Sequence, residues 1–108
     1  MALRRIYDVV VAELRFEWDL AKESANRRKH GVSFEEAESV FADDLGLLIH
    51  DPDHSEDEDR FVLLGLSSLL RALVVCHCYR HGNDVIRIIS ARKADRRERL
   101  LYGQRWNP

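Results

Sequence analysis

The spacing of apolar residues changes along the chain, and the changes mark its elements. Phe34, Ala37, Val40 and Phe41 fall three and four apart, the spacing of one helical face, and predict a helix from about Phe34 to Ala42. From Arg60 onward the apolar residues become dense and β-branched, in runs bounded by turn residues. These runs predict three strands at hairpin spacing, about Arg60 to Ser67, Ala72 to Tyr79 and Val85 to Ala91. The turns between them are Ser68-Leu69-Leu70-Arg71 and Arg80-His81-Gly82-Asn83-Asp84. Another strand, Leu45 to His50, comes earlier and stops at Asp51-Pro52-Asp53. Arg15 to Trp18 reads as a short strand at the front.

Polar residues at the element ends sharpen this pattern. Asp19 is placed to cap a helix over Leu20 to His30, because a short carboxylate accepts from the free N–H groups of a first turn. Gly31 can end that helix in the left-handed conformation. Ser33-Phe34-Glu35-Glu36 and Asp95-Arg96-Arg97-Glu98 both read as capping boxes, with Glu36 expected to reach back to the Ser33 N–H. The second box opens a last helix that runs to about Gln104. Strand, two helices, an antiparallel meander and a final helix make an α+β fold, with the helices expected on one face of the sheet. The other face is then left for solvent or a ligand. Simple alternation along the last strand puts Val85, Arg87, Ile89 and Ala91 on one side and Ile86, Ile88 and Ser90 on the other. Residues 1–14 look like an extension, as a short helix or an extra edge strand, to a single unit over 15–108.

Composition bounds the function classes. The chain has 108 residues, 45% apolar and 33% charged, an ordinary balance for one globular domain. No apolar run approaches the roughly 20 residues that span a bilayer. The apolar part of the start is short and broken by Asp8, which is no signal-peptide core, so a cytoplasmic protein without membrane contact is expected. Cys76 and Cys78 sit two apart on a predicted strand, a poor geometry for a mutual disulfide, so reduced thiols are expected. Cys76-His77-Cys78 lacks a second Cys/His pair to complete tetrahedral zinc, so neither metal nor cofactor is expected. Net charge is −2, yet the charge is segregated. Residues 43–59 carry eight carboxylates and no Lys or Arg, while residues 86–108 carry Arg87, Arg92, Lys93, Arg96, Arg97, Arg99 and Arg105 against Asp95 and Glu98. Phosphate binding follows the local field, so the basic tail points to nucleic acid where the net charge does not.

The chain resembles the BrnT family of toxins from bacterial toxin–antitoxin pairs. The resemblance is carried by Phe16-Glu17-Trp18-Asp19, by Asn26 to Phe34, by Arg60-Phe61-Val62-Leu63-Leu64-Gly65 and by Ile86 to Ala94, in order from about Arg15 to Tyr102. Members usually have proline directly after the Phe-Glu-Trp-Asp block; Leu20 stands here, a good helix former. The stretch Met1 to Glu13 is longer than the family pattern. The resemblance implies a RelE-like fold and a small endoribonuclease that acts without metal and slows translation. It also implies a neutralising antitoxin of the BrnA type, with room for a higher-order toxin–antitoxin assembly.

Metal-free RNA cleavage needs cations around the phosphate, where negative charge grows in the transition state, and groups that move protons. Arg87, Arg92, Lys93 and Arg60 are the cationic candidates, and His77 is the proton-transfer candidate. The alternative for Arg87 is an ion pair with the acidic loop; for His77 it is a satisfied core histidine. Lys29 and His30 could hold RNA backbone, or simply complement the first helix's dipole. Arg96 and Arg97 are a solvated helix face, or the surface met by RNA or an acidic antitoxin. Two non-enzymatic readings compete with the ribonuclease. One is a DNA-binding helix-turn-helix around Gly31, weakened by the acidic start Glu35-Glu36 of its second helix. The other is a module that only binds a partner.

Overall fold

A computed structural model describes residues 4–6, 9–11, 14–52, 58–82 and 84–106. Its elements are β1 (Arg4–Ile6), β2 (Val9–Val11), β3 (Arg15–Glu17), α1 (Leu20–His30), α2 (Phe34–Ser39), β4 (Leu47–Asp51), β5 (Arg60–Leu66), β6 (Ala72–Arg80), β7 (Val85–Lys93) and α3 (Arg96–Gly103). A 3-10 turn, Val40–Ala42, continues α2. Strands β4 to β7 form the antiparallel meander, and β3 joins β7 in parallel. The result is an α+β fold on a five-stranded, mostly antiparallel sheet, ordered β3-β7-β6-β5-β4. Among the described residues of the extension there is neither a helix nor an added edge strand of that sheet, since β1 and β2 pair antiparallel with each other.

Local chemistry sets the helix ends. The Lys22 N–H donates to the Asp19 carboxylate at 3.0 Å, and Gly31 takes φ 67° just past α1. A Cβ there would strain the left-handed backbone. Ser33 caps α2 by accepting from the Glu36 N–H at 3.0 Å, but the expected return bond is not made. The Glu36 carboxylate turns inward instead, to Arg71 Nε at 2.8 Å and the Ser67 hydroxyl at 2.7 Å, with a second Arg71 nitrogen on its other oxygen. A buried carboxylate gains more from a guanidinium than from one backbone N–H. The Phe34 N–H is taken by Glu23 at 3.3 Å. Asp95 and Glu98 complete the last capping box in full.

The helices do not share one face. Val32, Phe34, Ala37 and Val40 pack on Leu63, Leu73, Val75, Ile88 and Ala91. Ala94 and Tyr102 pack on Leu64 and Val74, with Leu45, Leu47, Val62, Leu66 and Ala72 around them. Leu63 and Leu64, like Val74 and Val75, are neighbours on a strand and point to opposite sides. α1 and α2 therefore cover one face, and α3 covers one end of the other. Consecutive apolar residues on β5 and β6 dictate this, because both of their faces need shelter from water.

A β-bulge in β7 corrects the alternation as well. Cys76 pairs with Ser90 and His77 with Ile88, which leaves Ile89 as an extra residue. Beyond it the phase reverses. Ala91 joins Ile88 in the core under the helices, while Ser90 and Arg92 turn to the opposite face with Arg87. Asn26 of α1 locks this stretch, accepting from the Ala91 N–H at 3.1 Å and donating to the Ala91 carbonyl at 2.8 Å and the Val32 carbonyl at 3.0 Å.

Candidate active site

α3 leaves most of its face open, and a shallow cleft of about 330 Å³ opens there. Asp51, Arg60, Val62, Val74, Cys76, Ile89, Ser90 and Arg92 line it. Four strands contribute, because Asp51 faces Arg60 across β4 and β5 while Val62, Cys76 and Ser90 follow in register across β5, β6 and β7. Arg60, Arg87 and Arg92 thus share one face, with Arg60 and Arg92 on the cleft itself. Plain alternation would have set Arg87 and Arg92 on opposite sides; the bulge unites them.

Arg92 and Arg87 each meet a carboxylate. Arg92 donates to both Glu98 oxygens, at 2.7 and 2.9 Å, and Glu98 also accepts from the Asp95 N–H at 2.9 Å. One carboxylate therefore caps α3 and aims Arg92. The Arg92 bond holds the Glu98 carboxyl below its usual range, and Glu98 in turn raises the guanidinium above its own. Arg87 donates to Glu17 at 2.7 Å from the neighbouring parallel strand, so its partner is Glu17 rather than the acidic loop. The same bond lowers the Glu17 carboxyl and raises Arg87. Burial pushes the Cys76 thiol up, which disfavours the thiolate.

The remaining candidates lie elsewhere. His77 is fully buried on the helix face, edge-on to Phe41 at 4.8 Å, with Nδ1 on the Val75 carbonyl at 3.1 Å. Burial holds its imidazole below the ordinary range, so it stays neutral, and the sheet separates it from the cleft. Lys93 pairs in register with Leu73 and so also faces the helix side, close enough to stabilise the Glu36 carboxylate. Lys29 and His30 end α1 in that same helix layer. Arg96 and Arg97 are exposed in the first turn of α3, beside the cleft. A groove-reading role for α2 meets a steric objection, since Phe34, Glu36 and Ala37 are buried against the sheet.

Sequence reasoning missed Asp51, Cys76, Ser90 and Glu98. Asp51 stood out only as a strand-ending residue of the acidic segment, and the bulge hid Ser90. Glu98 could have been found, because a capping box six residues after Arg92 puts its carboxylate within reach. Together the cleft offers guanidinium groups for phosphate oxygens, a carboxylate able to accept a proton and a hydroxyl for hydrogen bonding. Among the described residues, no group of three His, Cys, Asp or Glu could hold a metal ion, and no helix is long and apolar enough to cross a membrane.

Residues 18–98, more than half of the chain, match the family model described as the ribonuclease toxin BrnT of type II toxin–antitoxin systems. Among solved structures, the chain is similar to the Brucella abortus ribonuclease toxin BrnT, known from a crystal structure at 1.1 Å resolution. The two share 23% identity with a TM-score of 0.56, over 78% of this chain and 100% of that one, a likeness of fold. No curated protein matches the chain.

Proposed function

The chain belongs to the BrnT family of ribonuclease toxins of type II toxin–antitoxin systems, and on that premise we propose that it cuts RNA in the cleft bearing Arg60 and Arg92. It acts as a metal-independent endoribonuclease in the cytoplasm, inhibits translation, and is neutralised by a BrnA-type antitoxin. One observation supports this above the others: the bulge at Ile89 turns Ser90 and Arg92 onto the face of Arg60 and Arg87. A strand irregularity that re-aims charged side chains into a cleft is a recurring device beside active sites.

In the proposed reaction Arg60 and Arg92 hold the scissile phosphate. The ribose 2′-oxygen forms a bond to phosphorus and the P–O5′ bond breaks, leaving a 2′,3′-cyclic phosphate and a 5′-hydroxyl. Asp51 accepts the 2′-OH proton, and water supplies the proton to the leaving oxygen. The guanidinium groups stabilise the extra negative charge on the phosphoryl oxygens. Arg87 extends the positive face along the RNA. His77, sealed behind the sheet, acts through packing. Arg96 and Arg97 carry the positive surface onto α3, where an acidic antitoxin segment would compete with RNA.

Separate Arg60→Ala and Arg92→Ala variants test the assignment. Each should lose roughly 10²–10³-fold in RNA cleavage, and growth arrest on expression, while the melting temperature barely moves. Parental cleavage by both would remove the cleft from consideration. In the same assay, Arg96→Glu with Arg97→Glu should weaken antitoxin capture; unchanged capture at low salt would place the antitoxin on another surface.

A further inference from the structure

At the end of the sheet where β4 stops and β5 begins, the helix face carries a second opening that plays no part in the proposed cut. It is a cavity of about 580 Å³ lined by Leu48, Asp59, Phe61 and Tyr79. Phe61 and Tyr79 stand 5.3 Å apart at 68°, forming an aromatic corner. The His50 ring lies 5.2 Å from Phe61, and its Nε2 meets the Asp59 carboxylate at 3.2 Å. The first two helices stop short of this corner, so Phe61 and Tyr79 are only half-buried, although the sheet side of the same cluster is closed by Phe41 and His77.

We infer that this corner is a stacking site for a nucleobase of single-stranded RNA, an inference that rests on the chain's being a ribonuclease. Two flat rings with a polar pair at the rim match a base, which offers a π-face and a hydrogen-bonding edge. The carboxylate rim repels phosphate, so the base enters and the backbone stays outside. Chain geometry supplies the link to the cleft. Phe61 lines this cavity and His50 stands opposite it in register, while their immediate neighbours Asp51 and Arg60 line the cleft on the opposite face. A strand of RNA rounding this end of the sheet would set its phosphate by Arg60 and its adjoining base on Phe61 and Tyr79. Stacking of this kind is tolerant of sequence and contributes at least several-fold in affinity per base.

The experiment uses the intact protein, isotope-labelled, and adenosine or cytidine, which carry no phosphate. The Phe61, Tyr79 and His50 side-chain resonances should shift saturably, and those of Arg60 and Arg92 should not. A short RNA with its 2′-hydroxyls methylated, and therefore uncut, then probes affinity. Tyr79→Leu should weaken it about tenfold and Tyr79→Phe should not, while an abasic version should bind the parent and Tyr79→Leu equally. Nucleosides that move none of the three resonances would overturn the site, and this holds even if Tyr79→Leu fails to fold. Protection of Tyr79 by antitoxin, with none by nucleoside or RNA, would also overturn it and give the pocket to the protein partner. Arg60→Ala and Arg92→Ala enzymes that cut normally, with the nucleoside shifts intact, would relocate the cutting site and leave the stacking site standing.

Discussion

On the helix face, Asn26, Glu36 and His77 are all buried; Asn26 and Glu36 are bonded to distant parts of the chain, and His77 is bonded within its own strand and packed on Phe41. On the cleft face, Arg87 and Arg92 are 31% and 43% exposed, each paired with a single carboxylate and still partly open to solvent. Polar groups of the first kind fix the architecture, since a buried donor or acceptor left unpaired is costly. Those of the second kind are aimed but not used up. The contrast separates scaffold from site more sharply than residue type does, because both faces carry the same kinds of charge.

The contrast is most open to attack at Glu36. Its carboxylate lies well below its ordinary range, chiefly through the Arg71 bond and then the Ser67 hydroxyl, against the cost of burial. Glu36→Ala should cost about 3 kcal/mol in a denaturant titration, the low end for a broken buried pair because Arg71 is 32% exposed. The sign with pH follows from the depressed carboxyl. Its contribution is complete above the ordinary 4.5 and disappears as pH falls through the lower folded value, so the variant should lose less stability in acid than the parent. A loss under 1 kcal/mol, or an unchanged acid limb, would erase the scaffold role.

Tyr102 offers the next test, on the end of the cleft face that α3 covers. Its hydroxyl donates to Asp43 at 2.6 Å, and burial, followed by that bond, pushes it up to about 12. Burial opposes the Asp43 charge, yet bonds from Tyr102, Leu66 and Leu45 outweigh it and keep that carboxyl low. Tyr102→Phe should cost about 1 kcal/mol. The parent should lose stability as pH rises from 10 towards about 12, and the variant should not, as thermal melts across that window would show. Equal alkaline limbs would mean that the bond to Asp43 does not hold α3.

The smallest effect is expected at Glu17. Glu17→Gln should change the melting temperature little, because both members of its pair with Arg87 keep about a third of their surface in solvent. It removes a negative charge beside the cleft, so RNA affinity should rise a few-fold at low salt, an increase that salt suppresses. A clear drop in stability would move Arg87 from site to scaffold.

What the sequence disclosed follows the range of the interactions. The caps at Asp19, Ser33 and Asp95, the stop at Gly31 and most strand limits were legible because each depends on residues within four positions. The placement of α3, the inward turn of Glu36 to Arg71 and the pairing of Arg87 with Glu17 were not, since they join residues 35 to 70 positions apart. The cleft was half legible. Arg60, Arg87 and Arg92 stood out as charges in apolar strands, but their shared face depended on a register shift that involves two strands at once. The place of His77 was not legible, because its packing against Phe41 on the face opposite the cleft lies outside any local pattern.

The extra residue in β7 also bears on how the gene can change length within one strand. Most strand positions tolerate exchange of one side chain for another of similar size. Ile89 has a different kind of importance, because it alone is left over when β7 is paired with β6 around Cys76 and His77. A three-nucleotide deletion of Ile89 would remove the bulge and its local twist yet leave Ser90, Ala91 and Arg92 on their present faces, because Cys76 and His77 already pair with Ser90 and Ile88. The strand's residue count is therefore buffered at this one point, and its register is set by the pairs on either side of Ile89 rather than by its length.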